Sequence, residues 1–314
     1  MSGRKALLIG IDNYKASPLG CCCNDTKEMG LLLSKHGDGF PNFNVKTQNN
    51  IGTRGELRRL IGELFRGDDD IALFYYSGHG YIDSLGGYLV TPDYADYDWG
   101  VSLQELLTIA NESHCRDRII ILDSCFSGAM GSISSIGQNI TLIKEGVTIL
   151  TASRDVETAV ETNGHGIFTS LLLEALNGGA ADVLGHITVG SIYAFIDKAL
   201  GSFEQRPCFK TNVVRFTSLR NVAPRVNISI IRETLGYFAS SDAEFPLDPT
   251  FEFTEKTANQ ENVAKFKNLQ KLVGIGLVAP VDEEHMYFAA LNRKSCKLTA
   301  VGKHYWKLAQ EGKV

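Results

Sequence analysis

An α/β sandwich around a mostly parallel sheet, followed by a small α+β domain, is the architecture this sequence predicts. Three observations predict it. Short apolar runs alternate with segments of helical periodicity through the first two thirds of the chain. That alternation stops at "RNVAPR", Arg220 to Arg225, where a proline and charged residues mark a boundary. The chain has 314 residues, 44% of them hydrophobic, enough for one large core or two ordinary ones. The predicted domains are residues 1–221 and 222–314.

Each element has its own signal. "KALLIGI" reads as a buried strand, and "NDTKEMGLLLSKHG" as a helix with Asn24 as N-cap and Gly37 as stop. "RGELRRLIGELFRG" puts Leu57, Leu60, Ile61 and Leu64 on one helical face, with Thr53 to cap it. "DIALFYYSGHG" is a second buried strand, "SLQELLTIANESH" a helix, "RIIILDSC" a third strand and "GVTILTAS" a fourth. "IFTSLLLEALNGG" and "ITVGSIYAFIDKAL" are helices, and "NVVRFTSL" is a last strand. Beyond the boundary, "VAKFKNLQKLVGIG" is helical through Phe266, Leu269, Leu272 and Val273, and "MYFAAL" is strand-like. "LTAVGKHYWKLAQ" is a helix capped by Thr299 with Val301, Tyr305 and Leu308 as its buried stripe.

Several functional classes are disfavoured. The net charge of −5 argues against a surface devoted to nucleic acid. The apolar run at the start ends at Ile11, before Asp12, too short for a signal peptide, and no stretch is long enough to cross a bilayer, so a cytoplasmic protein is expected. The seven cysteines are odd in number. Three are adjacent, Cys21 to Cys23, and there is no C-x-x-C pair, which fits reduced thiols better than disulfides or zinc. No metal site is expected on this evidence.

In a parallel α/β sheet, reactive groups gather where strands end at their carboxyl edge. One buried strand ends in Ser77-Gly78-His79-Gly80, another in Asp123-Ser124-Cys125. If those strands are neighbours, His79 and Cys125 face each other as a thiol–imidazole dyad. The amides of Gly80 and Cys125 are then the natural donors to an oxyanion. Taken singly, a cysteine at a strand end is more often an inert core thiol.

The ordered set "ALLIGIDNY", "GCCCND", "FYYSGHG", "DSCFSG", "TASRDVETA" and "HGIFTSLLLEAL" resembles the caspase/metacaspase superfamily of cysteine peptidases over residues 4–220. The 46 residues from His79 to Cys125 are near the caspase spacing of roughly 50. The Gln-Ala-Cys of caspases is absent; Asp-Ser-Cys-x-Ser-Gly is the metacaspase-like form, with Phe126 where those proteins usually carry His. The resemblance implies a caspase-like three-layer sandwich and hydrolysis after Arg or Lys, through an acidic pocket at Cys22, Asp25, Ser77 and Asp123. Two carboxylates can hold a guanidinium fork or neutralise an ammonium and would reject a P1 aspartate. Asp93, Asp96 and Asp98 are candidate calcium ligands, since many metacaspases bind calcium at acidic loops, although they match no ligand set residue by residue and three acids in a turn are usually solvated. His165, in a helix-start context, reads as structural.

A Gly- and Ser-rich stretch after Cys125 contains one basic residue, Lys144, the candidate site of zymogen autocleavage, with Arg220 and Arg225 as alternatives. The second domain resembles a winged helix: a helix ending in Gly-Leu-Val, a strand pair, then Leu-Thr-x-x-Gly opening a last helix. From Lys256 on, ten Lys/Arg stand against five acids, a local excess of 10 − 5 = +5. That surface suits either DNA or a protein that activates or inhibits the enzyme. The leading reading is a regulated protease of protein substrates in cell death or defence. The alternative is a DNA-binding or scaffold protein using a caspase-like domain for association.

Overall fold

The computed structural model describes residues 3–96, 98–124, 126–127, 143–152, 164–200 and 207–314. The described chain divides into two compact units: Met1–Asp182 with His186–Val222, and Val183–Gly185 with Ala223–Val314.

The first unit runs β1 (Arg4–Gly10), α1 (Cys22–Ser34), β2 (Asn44–Asn49), α2 (Arg54–Leu64), β3 (Ile71–Ser77), β4 (Gly80–Asp83), β5 (Gly86–Ala95), β6 (Asp98–Ser102), α3 (Leu103–Glu112), β7 (Asp117–Asp123), β8 (Phe126–Ser127), β9 (Val147–Thr151), α4 (Ile167–Glu174), β10 (His186–Thr188), α5 (Val189–Leu200), β11 (Cys208–Asn212) and β12 (Ser218–Asn221). Six strands form one sheet in the order β11-β9-β7-β3-β1-β2. All are parallel except β11, which runs antiparallel to β9.

The central strands are apolar at nearly every position because both faces are covered. Leu7, Ile9, Phe74, Tyr76, Ile120 and Leu122 point to one side, against Leu57, Leu60 and Ile61 of α2 and Leu106 of α3. Ala6, Leu8, Leu73, Tyr75, Ile119 and Ile121 point to the other, against Met29 of α1, Leu172 of α4 and Ile192 of α5. Thr53 caps α2 as its sequence predicts, accepting from the Glu56 amide. A second sheet, β6-β5-β4-β8, joins the ends of β3 and β7, with β4 pairing parallel to β8 so that Gly80 lies opposite Phe126.

Three expectations are corrected here. Helix α1 begins at Cys22, not after Asn24, because Asp12, ten residues upstream, accepts from the amides of Cys22 (2.9 Å) and Cys23 (3.1 Å) and caps the helix from outside. The helix also ends at Ser34, ahead of Gly37. The last strands are β11 and β12, on either side of most of "NVVRFTSL"; Val214 is 87% exposed, so its apolar spacing finds no core.

The second unit contains α6 (Ile228–Leu235), β13 (Glu244–Pro246), α7 (Gln260–Gly274), β14 (Val278–Pro280), α8 (Met286–Leu291), β15 (Ser295–Leu298) and α9 (Ala300–Gln310). Its three strands are antiparallel in the order β13-β15-β14. "MYFAAL" is helical, contrary to its strand-like reading. Met286, Ala289 and Ala290 are buried at i, i+3 and i+4, and alanine favours helix over strand. Thr299 caps α9 by accepting from Gly302, but Val301 is 52% exposed rather than part of the buried stripe. Gly302 faces inward instead, since a Cβ there would lie 1.9 Å from the Leu277 carbonyl oxygen.

Candidate active site at the carboxyl edge of the sheet

β3 and β7 are neighbours, and their register pairs Ser77 with Asp123 at the carboxyl edge. His79 follows two residues after Ser77. Between them, Gly78 passes so close to the hydroxyls of Tyr14 and Tyr76 that a Cβ would lie 2.7 Å from each. The His79 amide donates to Tyr14 Oη (3.0 Å), and its ring packs on the Tyr14 ring at 4.5 Å between centroids. Tyr76 Oη lies 2.8 Å from the Val90 carbonyl and 3.0 Å from that of His79, which pins the turn from below.

The imidazole orientation follows from one contact. Nε2 of His79 lies 2.7 Å from the Ser17 carbonyl oxygen. A carbonyl only accepts, so Nε2 carries the proton and the Nδ1 lone pair is the basic position. Cys125 lies outside the described residues, but both its chain neighbours belong to this edge. Ser124 is buried directly after β7, and Phe126 pairs with Gly80, the residue after His79.

The four residues expected to form the pocket come together next to this turn. Asp25, in the first turn of α1, is 1% exposed, and its Oδ2 accepts from Ser77 Oγ (2.8 Å). Cys22 is 3% exposed; its thiol is pushed up by a hydrogen bond with Cys21 and by burial, which disfavours a reactive thiolate there. Asp123 accepts from the Thr169 hydroxyl of α4, which leaves the Tyr75 hydroxyl to donate to Thr169 Oγ1 (2.6 Å). Burial, opposed by the Thr169 hydrogen bonds and reinforced by the charge of Asp25, pushes the Asp123 carboxyl up to about 7. Burial also raises Asp25, against hydrogen bonds from His165 and Ser77.

Sequence reasoning missed three participants. The Ser17 carbonyl has no side-chain signature. Asp12 holds the start of α1 and with it Asp25. His165, read as structural, places Nδ1 2.7 Å from Asp25 Oδ1.

The remaining candidates lie elsewhere. Asp93 accepts from the Arg54 amide (3.1 and 3.2 Å) and Thr91 Oγ1 (2.6 Å), and Asp98 pairs with Arg54 at 3.5 Å. Among the described residues no group of three His, Cys, Asp or Glu is placed to hold a metal ion. Lys144 is exposed, its amide held by Asn111 Oδ1 (3.1 Å) three residues before β9, at the amino edge of the sheet. Arg220 is 8% exposed, its guanidinium donating to the carbonyls of Lys35 (3.0 Å) and Leu176 (2.7 Å), whereas Arg225 is exposed.

A mostly parallel six-stranded sheet between two helical layers, with a reversed strand at one edge and a histidine turn at its carboxyl end, is the caspase-like sandwich. The family model of the caspase domain of peptidase family C14 matches residues 3–217, and the chain belongs to that family. Its first unit is therefore a cysteine-peptidase domain, whose substrates are proteins. Among solved structures, protein GSU0716 from Geobacter sulfurreducens is similar at 17% identity and TM-score 0.51, covering 71% of this chain and 98% of that one. Caspase-1 from Spodoptera frugiperda is similar at 14% identity and TM-score 0.51, covering 70% of this chain and 91% of that one. Both likenesses are of fold. No curated protein matches the sequence. Among the described residues no helix is long and apolar enough to cross a membrane.

Proposed function

We propose that the protein is a metacaspase-type endopeptidase that cleaves after Arg or Lys with a His79–Cys125 dyad. The observation that carries the reading is the gathering of buried Asp25 and Ser77 and half-buried Asp123 at the same sheet edge as His79. Nδ1 of His79 takes the thiol proton of Cys125, the thiolate attacks the scissile carbonyl carbon, and the same proton passes to the leaving amine. Water then hydrolyses the thioester. The amides of Gly80 and Cys125 hold the oxyanion. Asp25 and Asp123 receive the basic side chain, Ser77 fixes the Asp25 rotamer, and Cys22 closes the wall.

Zymogen processing after Lys144 would then occur between molecules. Lys144 lies before the five-residue β9, which starts at the sheet edge opposite His79, on the order of 16 Å away by strand rise alone. A processing rate independent of protein concentration would contradict this. A calcium requirement is read by activity with and without a chelator. A winged-helix role for the second unit, toward DNA or an activating or inhibiting protein, is supported by its +5 charge excess from Lys256 on and by the β13-β15-β14 order. Cell death or defence is the physiological setting the family suggests, in the cytoplasm.

The experiment is turnover of fluorogenic peptides ending in Arg, Lys and Asp. Hydrolysis of the first two and not the third is expected. No turnover of any peptide would favour the scaffold reading instead.

A further inference from the structure

Both oxygens of Asp25 are engaged before any substrate arrives. Oδ2 takes the Ser77 hydroxyl at 2.8 Å, and Oδ1 faces Nδ1 of His165 at 2.7 Å. His165 is mostly buried, its side chain 12% exposed beside a carboxylate side chain at 1%. Its other ring nitrogen lies 3.2 Å from Asn24 Nδ2, an amide that also donates to the Gly164 carbonyl at 3.2 Å. With Asn24 donating to Nε2, the neutral ring carries its hydrogen on Nδ1 and donates it to Asp25. A protonated ring would instead set a full positive charge against Oδ1, in the position one prong of a guanidinium would take.

We propose that His165 is a specificity-determining residue of the P1 pocket: neutral, it aims Asp25 and leaves the carboxylate charge to a basic side chain; protonated, it is an internal cation that competes for that carboxylate. The inference rests on reading the pocket as the P1 site. Among the described residues, the groups facing His165 are Asp25 and Asn24 from α1, with Asp123 from the end of β7 near the adjoining residue. A Cβ at the adjoining Gly166 would lie 3.6 Å from Asp123 Oδ2. Asp123 gains its own proton at about 7 and weakens cation binding in the same direction as the pH falls, so the two contributions must be separated by substitution.

The test compares wild type with His165→Asn, which keeps a neutral donor, by measuring kcat and KM for a P1-Arg peptide from pH 7.5 to 5.5. In the wild type KM is expected to rise by about tenfold between pH 7.5 and 5.5. In the variant it is expected to rise by no more than about threefold, the remainder left by Asp123. Superimposable KM profiles would overturn the proposal while leaving the basic P1 preference intact. Absence of turnover with P1-Arg and P1-Lys peptides would instead defeat the reading of the pocket. A second readout needs neither turnover nor the variant: NMR titration of His165 in the Cys125→Ala protein, with and without agmatine as a guanidinium probe. Reciprocal linkage requires agmatine to move the His165 titration to lower pH. An unmoved titration with agmatine bound overturns the role of His165, and no agmatine binding at pH 7.5 overturns both.

Discussion

The two edges of the central sheet are built from the same strands and treat charge in opposite ways. At the amino edge, cations meet acids or carbonyls. Lys5 pairs with Asp69, Arg116 with Asp70 (3.0 Å) and Asp117 (3.3 Å), Thr217 donates to Asp117 (2.6 Å), and Arg118 donates to the carbonyls of Cys115 and Glu145 (2.6 Å each). At the carboxyl edge, Asp25 is buried and Asp123 half-buried, and among the described residues no lysine or arginine pairs with either. Their carboxyls are both raised, with burial as the first cause. Neutralising charge at one end and leaving carboxyls poorly solvated at the other is what the proposed pocket for a basic side chain requires.

Substitutions at the two edges should therefore differ in kind. The largest effect is expected from Cys125→Ala or His79→Ala, each lowering kcat by at least about 10³-fold, with no further loss when combined; full additivity would show that the two do not act as a unit. Next, Asp25→Asn should lower kcat/KM for a P1-Arg peptide by about 10²-fold and for a P1-Gln peptide hardly at all. An equal loss on both peptides would make Asp25 a scaffold residue.

Asp123→Asn should stabilise the protein against urea at pH 8 while impairing it as an enzyme. The carboxyl, raised to about 7, binds its proton more tightly folded than unfolded. Its contribution to stability is thus present below the unfolded value, near 4, and is lost as the pH rises through about 7. The variant's advantage should be on the order of 2–4 kcal/mol at pH 8 and vanish near pH 4; a pH-independent difference would contradict the burial argument. The smallest effect belongs to the amino edge. Arg116→Ala, half-exposed, should cost under about 1 kcal/mol and leave peptide turnover unchanged.

Much of this contrast was legible in the chain. The runs ending at Ser77 and Asp123 are continuously apolar because both their faces are covered, so their polar ends stand out, and the family resemblance pointed to Cys22 and Asp25, which the fold brings to Ser77. What stayed hidden was placed by tertiary structure. His165 meets Asp25 across 140 residues of sequence. Asp12 caps a helix that local reading gave to Asn24. The Ser17 oxygen is a backbone atom, which any residue would supply. β2 is an edge strand with mostly exposed positions, and β4 to β6 mix buried apolar residues such as Leu89, Val90 and Val101 with polar ones, so neither carries the continuous apolar signal that revealed β1, β3 and β7. In the second unit, "MYFAAL" was too short for its period to separate strand from helix.

The most direct measurement is covalent labelling of the whole protein with two peptidyl acyloxymethyl ketones that differ only in an Arg or an Asp at P1, followed by mass spectrometry of the digest. A single adduct on Cys125 from the arginyl probe, and none from the aspartyl probe, is the outcome expected. Labelling of Cys21, Cys22 or Cys23 instead, or a preference for the aspartyl probe, would contradict a reactive thiol beside an anionic pocket.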